Sequence, residues 1–115
     1  MNRLLKIETE LKAKYRIHYF NQLSKEDWFR ISSYCMLPEG FIAKYKEFVD
    51  WKSISYKQNL SENFIRYYKN SVDWYGISSS QTLSLNFIEE FRNVLHFKSI
   101  YKNPQISDDT KKKLP

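Results

Sequence analysis

The sequence predicts an all-α fold in which short helical repeats stack in the manner of a solenoid, and three observations carry that expectation. A motif returns at a constant interval, apolar residues recur at helical spacing, and glycine and proline are scarce. The motif is Asp27-Trp28-x-x-Ile31-Ser32, which returns as Asp50-Trp51-x-x-Ile54-Ser55 and as Asp73-Trp74-x-x-Ile77-Ser78, a step of 23 residues. A worn fourth copy follows as His96-Phe97-x-x-Ile100-Tyr101. With two Gly and three Pro in 115 residues, the chain lacks the turn formers that an all-β protein needs. Nine Tyr, eight Phe and three Trp supply the large side chains of a core.

The order of elements follows from these signals, and the chain is read as a single domain. Residues 1–26 form an N-terminal cap helix and linker, with Leu4, Leu5, Ile7, Leu11 and Tyr15 apolar among charged residues over 2–16. Residues 27–95 hold three tandem repeats, each a short helix followed by a three-turn one. The Asp before each Trp stands at an N-cap position, where its carboxylate can accept a free backbone N–H. In the second helix Ser61 and Ser84 take that role, and Phe64, Ile65, Tyr68 and Val72 fall on one face. Val49 with Ile54, and Val72 with Ile77, occupy the two positions of a hydrophobic staple. The first copy has Pro38 where Ser is expected and Gly40 in the first turn, so its second helix is expected to start later. Residues 96–115 are a degenerate repeat and basic tail. There His96 takes the Asp slot, and Asp108 to Lys113 replaces an apolar helix face with a frayed, solvated end.

A unit of 23 residues cannot bury its own apolar side chains, so successive units must share one core. Trp28, Trp51, Trp74, Ile54, Ile77, Phe64 and Phe87 are its predicted members. The net charge of +6 is concentrated at the ends. Residues 1–26 and 96–115 each carry +3, while 27–95 balance eight basic against eight acidic residues. No apolar run approaches the ~20 residues that span a bilayer, no leader pattern opens the chain, and Cys35 stands alone. A cytoplasmic protein without membrane attachment is expected.

Chemistry finds little to build on. His18, His96 and Cys35 are far apart in sequence, which does not suit a metal, and Gly40 and Gly76 are isolated, which does not suit a phosphate loop. No enzyme activity and no cofactor are expected. The Trp and Asp series are read as core and caps rather than as a base-stacking platform or a carboxylate ladder.

The pattern L-S-x-x-F-I followed by V-D-W-x-x-I-S, over residues 27–107, resembles a short tandem repeat of uncharacterised proteins from large DNA viruses, bacteriophages and some bacteria. The resemblance implies a helical-repeat fold and a viral or phage origin, but it carries no catalytic residues. By analogy with small phage proteins, it suggests an inhibitor that binds a host enzyme or defence complex of the anti-CRISPR type, in the host cytoplasm.

The internal alignment separates positions fixed by packing from positions free to vary. Phe29 and Tyr75 share a position with Lys52 and Lys98, Tyr56 aligns with Ser33 and Ser79, and Tyr67 aligns with Lys44 and Glu90. Tyrosine beside basic residues is the composition of binding hot spots. Phe29, Lys52, Tyr56, Arg66, Tyr67 and Tyr75 are therefore the candidate protein-binding residues. The alternative is a nucleic-acid binder that grips phosphates with Arg3, Lys6, Lys12, Lys14 and Arg16 of the first helix and Lys111, Lys112 and Lys113 of the tail.

Overall fold

A computed structural model describes residues 2–114. Among these the chain forms nine α-helices, one 3₁₀ turn and no strand, so the protein is all-α. It divides into two compact units, Met1–Asp50 and Trp51–Pro115.

In the first unit α1 (Arg3–Tyr15) is capped by Asn2, whose side chain accepts the Leu5 N–H. It ends at Arg16 in the left-handed conformation, φ 55°. A 3₁₀ turn, Phe20–Gln22, interrupts the expected linker and buries Phe20. Helix α2 (Lys25–Tyr34) starts earlier than its motif suggests. Ser24 is the N-cap, and Asp27 closes a capping box by accepting the Ser24 N–H. Asp27 thus supports the cap from inside the helix and is not the cap itself. Helix α3 (Glu39–Lys44) begins in the common register, because Pro38 has the extended backbone an N-cap needs even without a side-chain acceptor. The expected late start does not occur. Phe20, Trp28, Phe41 and Tyr45 form one ring cluster with centroids 4.6–6.3 Å apart.

The second unit runs α4 (Trp51–Lys57), α5 (Glu62–Tyr67), α6 (Trp74–Ser80), α7 (Leu85–Glu90), α8 (Phe97–Lys102) and α9 (Asp108–Lys112). Helices α4, α6 and α8 pack side by side. Ser61, Ser84, Asp73 and His96 each accept a first-turn N–H.

The second helix of each repeat is six residues, not three turns. It stops at Tyr45, Tyr68 and Phe91, which share φ near −105° and ψ of 23–31°. Asn70 and Ser71, whose side chains compete for backbone hydrogen bonds, follow the break after Tyr68. The break coincides with an aromatic that lies on the Trp of its own repeat. Tyr68 is 5.3 Å from Trp51, and Phe91 is 5.0 Å from Trp74.

The tail also departs from expectation. Helix α9 is the fourth copy's second helix, in register with α7, with Ser107 as cap and Ile106 buried. Thr110 and Lys111 stand where Phe87 and Ile88 stand one repeat earlier. Asp108 and Asp109 lie in its first turn and Lys111 and Lys112 in its last, so both charges suit the helix dipole. The tail is an ordered helix with a polar face rather than a frayed end.

Two polar devices tie successive repeats together. The motif Ser hydroxyl accepts the N–H of the next repeat's cap residue: Ser32 from Asp50 at 3.0 Å, Ser55 from Asp73 at 2.9 Å, and Ser78 from His96 at 2.9 Å. Ser55 and Ser78 also donate to the carbonyl four residues back. Buried Gln81 reaches the preceding repeat, donating to the carbonyls of Ser55 and Gln58 and accepting the Leu60 N–H. Asn103 donates likewise to Ser78 and Gln81. These amides satisfy loop backbone groups that would otherwise be buried unpaired.

The predicted core residues Ile54, Ile77, Phe64 and Phe87 are buried, as is Trp28 at 3% exposure. Trp51 and Trp74 are only half-buried. Each ring packs on two aromatics of the following helix and its end, Trp51 on Phe64 and Tyr68 and Trp74 on Phe87 and Phe91, and Trp74 keeps its indole N–H on the Lys69 carbonyl.

Candidate binding face

The candidate partner residues fall into separate groups once their elements are placed. Phe29, on α2 of the first unit, is 47% exposed. In the second unit Lys52, Tyr75 and Lys98 are the second residues of α4, α6 and α8. One turn later come Tyr56, Ser79 and Lys102. Residues four apart share a helix face, so these six positions form two rows across three adjacent helices.

Tyr75 is 53% exposed and lies against the His96 imidazole, with centroids 4.5 Å apart. Tyr56 is less free than the alignment suggests. Its ring occupies the notch left by Gly76, where an added Cβ would come within 2.8 Å of the ring. Burial and the neighbouring Asp73 and Tyr75 raise the Tyr56 phenol above its ordinary pKa, against an opposing hydrogen bond with Ser79.

Arg66 and Tyr67 belong to α5 and are not joined to that face by any contact described. Tyr67 is 79% exposed, its ring edge-on to Tyr68. Arg66 is engaged within the fold. It forms a two-pronged pair with Glu90 at 2.8–3.0 Å, bonds Asn63, and lies over the Phe87 ring. The hydrogen bond from Arg66 holds the Glu90 carboxyl below its ordinary pKa. Beside it Glu62 accepts from both the N–H and the hydroxyl of Ser84. On the α5–α7 side Arg66, Glu90 and Glu62 are therefore engaged within the fold.

The alternative nucleic-acid set is also divided. Arg3 and Lys6 are exposed and line a shallow groove with Glu10, Met36 and Pro38. Lys12 lies on another side of α1, over the Phe20 ring, and the Lys14 ammonium lies near Tyr15. Arg16 is the C-cap of α1. Lys111, Lys112 and Lys113 close α9 in the other unit.

Sequence reasoning missed Glu8. It sits among the packed residues of α1, 8% exposed, and its carboxylate accepts from the Lys44 ammonium at 2.7 Å and from the Tyr45 hydroxyl. Burial alone would raise this carboxyl. The two hydrogen bonds and the charges of Lys44 and Lys12 outweigh it and hold the pKa below its usual value. The available signal was position, since Leu4, Glu8, Leu11 and Tyr15 follow a single helical stripe. Gln81 and Asn103 were missed as well, because a lone amide between helices reads as a loop residue.

His96 Nδ1 lies 2.7 Å from the Ser99 hydroxyl, a separation that also suits a nucleophile and its base. Nδ1 accepts the Ser99 N–H too, and Ser99 is buried, so N-capping accounts for the pair. A cleft of about 160 Å³ beside Ile88, Glu89, Arg92, Phe97 and Leu114 is below the size of ordinary small-molecule sites. Among the described residues, no three His, Cys, Asp or Glu are placed to hold a metal, and no helix is long and apolar enough to cross a membrane. In comparisons with protein-family models, curated proteins and solved structures, nothing matches this chain.

Proposed function

We propose that the chain is a non-enzymatic module that binds another protein, acting as a stoichiometric inhibitor or adaptor. The observation that supports this most is the exposure of Tyr67 and Tyr75 at repeat positions where packing asks for no aromatic. Exposed tyrosine carries an association risk that a plain surface avoids. In an interface it supplies apolar area and a hydroxyl with little loss of conformational freedom. An inhibitor of a host enzyme or defence complex is the form of this reading that the repeat resemblance suggests.

Affinity capture from a cell extract, with and without nuclease, tests the reading. The expected result is a protein retained after nuclease treatment and lost with the Tyr67→Ser/Tyr75→Ser variant, whose binding falls by ten-fold or more, roughly 1.4 kcal/mol, at an almost unchanged melting temperature. Capture that disappears with nuclease, and that instead depends on Arg3, Lys6 and Lys14, would put the nucleic-acid reading in its place.

A further inference from the structure

We infer that the face formed by Lys52, Tyr56, Tyr75, Ser79, Lys98 and Lys102 docks an acidic protein segment that carries an apolar residue between its carboxylates. This rests on the protein-binding reading and names the face and the partner's chemistry. Residues 27–95 are electroneutral in sequence, but the fold of the second unit sorts its charges by helix. Helices α4, α6 and α8 contain Lys52, Lys57, Lys98 and Lys102 and no Asp or Glu, while α5 and α7 contain Glu62, Glu89 and Glu90 against Arg66. Among the described residues Lys52, Lys57, Lys98 and Lys102 form no ion pair. The short-helix lysines therefore have no carboxylate partner. Asp73, at the start of α6, accepts the Gly76 N–H in its role as cap.

The placement of two of these lysines works against the helices that carry them. Lys52 and Lys98 lie in the first turn of α4 and α8, where the helix dipole favours an acid and disfavours a cation. Helix stability does not explain them, and an anionic partner does. Between them stands Tyr75, its ring held against His96 and so already ordered for contact.

Spacing favours a protein segment over a nucleic acid. Packed helices lie about 8–10 Å apart, so Lys52 and Lys98, on either side of α6, are separated by roughly 16–20 Å. A duplex strand places a phosphate about every 3.4 Å, so three lysines over that span neutralise little of it. The face also has no Arg, Asn or Gln, whose planar groups make two-pronged contacts to guanine and adenine. Two or three carboxylates flanking an apolar side chain match both the number and the order of the groups present.

The test is a titration of the ¹⁵N-labelled full chain with a random copolymer of glutamate and tyrosine, beside poly-glutamate and an oligothymidylate of equal charge. Amide shifts should concentrate at Lys52, Tyr56, Tyr75, Ser79, Lys98 and Lys102, and the copolymer should bind more tightly than poly-glutamate. Lys52→Glu with Lys98→Glu should weaken copolymer binding by about ten-fold or more and leave the melting temperature equal or higher, since the dipole now favours both residues. Shifts on α1 or on α5 and α7, unchanged binding by the variant, or no binding of the copolymer would overturn the assignment. Tighter binding of oligothymidylate at this face would make it a nucleic-acid surface. If the captured partner is retained by the charge-reversed variant, the face is wrong and the protein-binding reading stands. If nuclease abolishes capture, both fall.

Discussion

At the scale of single residues, Glu8 shows how a charge can sit inside a helix interface. The carboxylate is kept ionised by Lys44 and Tyr45, and its pKa in the folded chain lies below the ordinary 4.5. Because the native state favours the charged form, the contribution to stability is present above that ordinary value. It is lost as pH falls from about 4.5 through the lower folded value. Tyr45 acts at the other end of the scale. Burial and the Glu8 carboxylate raise its phenol above 10, so stability falls once the unfolded chain begins to lose that proton. Glu8→Ala should make the acid limb shallower and cost roughly 1–3 kcal/mol near neutrality, since Tyr45 loses its acceptor. Denaturant titrations from pH 3 to 8 check both outcomes, and an acid limb unchanged in the variant would show that other carboxylates set it. The sequence announced Trp28, Ile54 and Phe64 as core through their period, but a single buried glutamate obeys the same period and carries no mark of its partners. Trp51 and Trp74 show the converse. They share Trp28's motif, yet their exposure depends on what each ring edge meets.

At the scale of elements, most starts were legible and most stops were not. Ser61, Ser84 and Asp73 cap as their type and spacing suggest, because a cap is a local bond between residues three apart. The end of the second helix at Tyr45, Tyr68 and Phe91 involves an aromatic packing on a Trp seventeen residues earlier, which local preference cannot register. Helix α9 was hidden for a related reason, since its polar face has no hydrophobic period to reveal it. The candidate face was legible only as variable positions. Its division between short helices and α5, and the pairing of Arg66, required the fold. The fit of α4 on α6 is the sharpest case. Tyr56 replaces the serine of its neighbours, and Gly76, where Ser53 and Ser99 stand in other copies, makes the room. Gly76→Ser should therefore destabilise the chain by about 1–3 kcal/mol through overpacking, and adding Tyr56→Ser should recover most of the loss. Equal and additive costs in a double-mutant cycle would mean that the two positions are not coupled.

At the scale of the whole molecule, the recurrent bond from a cap residue's N–H to the Ser hydroxyl eighteen residues earlier makes each repeat a local unit. No such bond depends on how many copies precede or follow it. A chain in which residues 73–95 are duplicated should keep the same caps and bonds and melt at a higher temperature, as expected where stability is a sum of unit and neighbour terms. A lower melting point with unchanged helix content per residue would show that the copies are not interchangeable. The fourth copy ends this series by two changes. Tyr101 replaces the accepting serine, and α9 carries Thr110 and Lys111 in place of Phe and Ile. A unit laid against α9 would therefore meet a hydroxyl and an ammonium where α7 offers Phe87 and Ile88, a surface that gains little from being taken out of water.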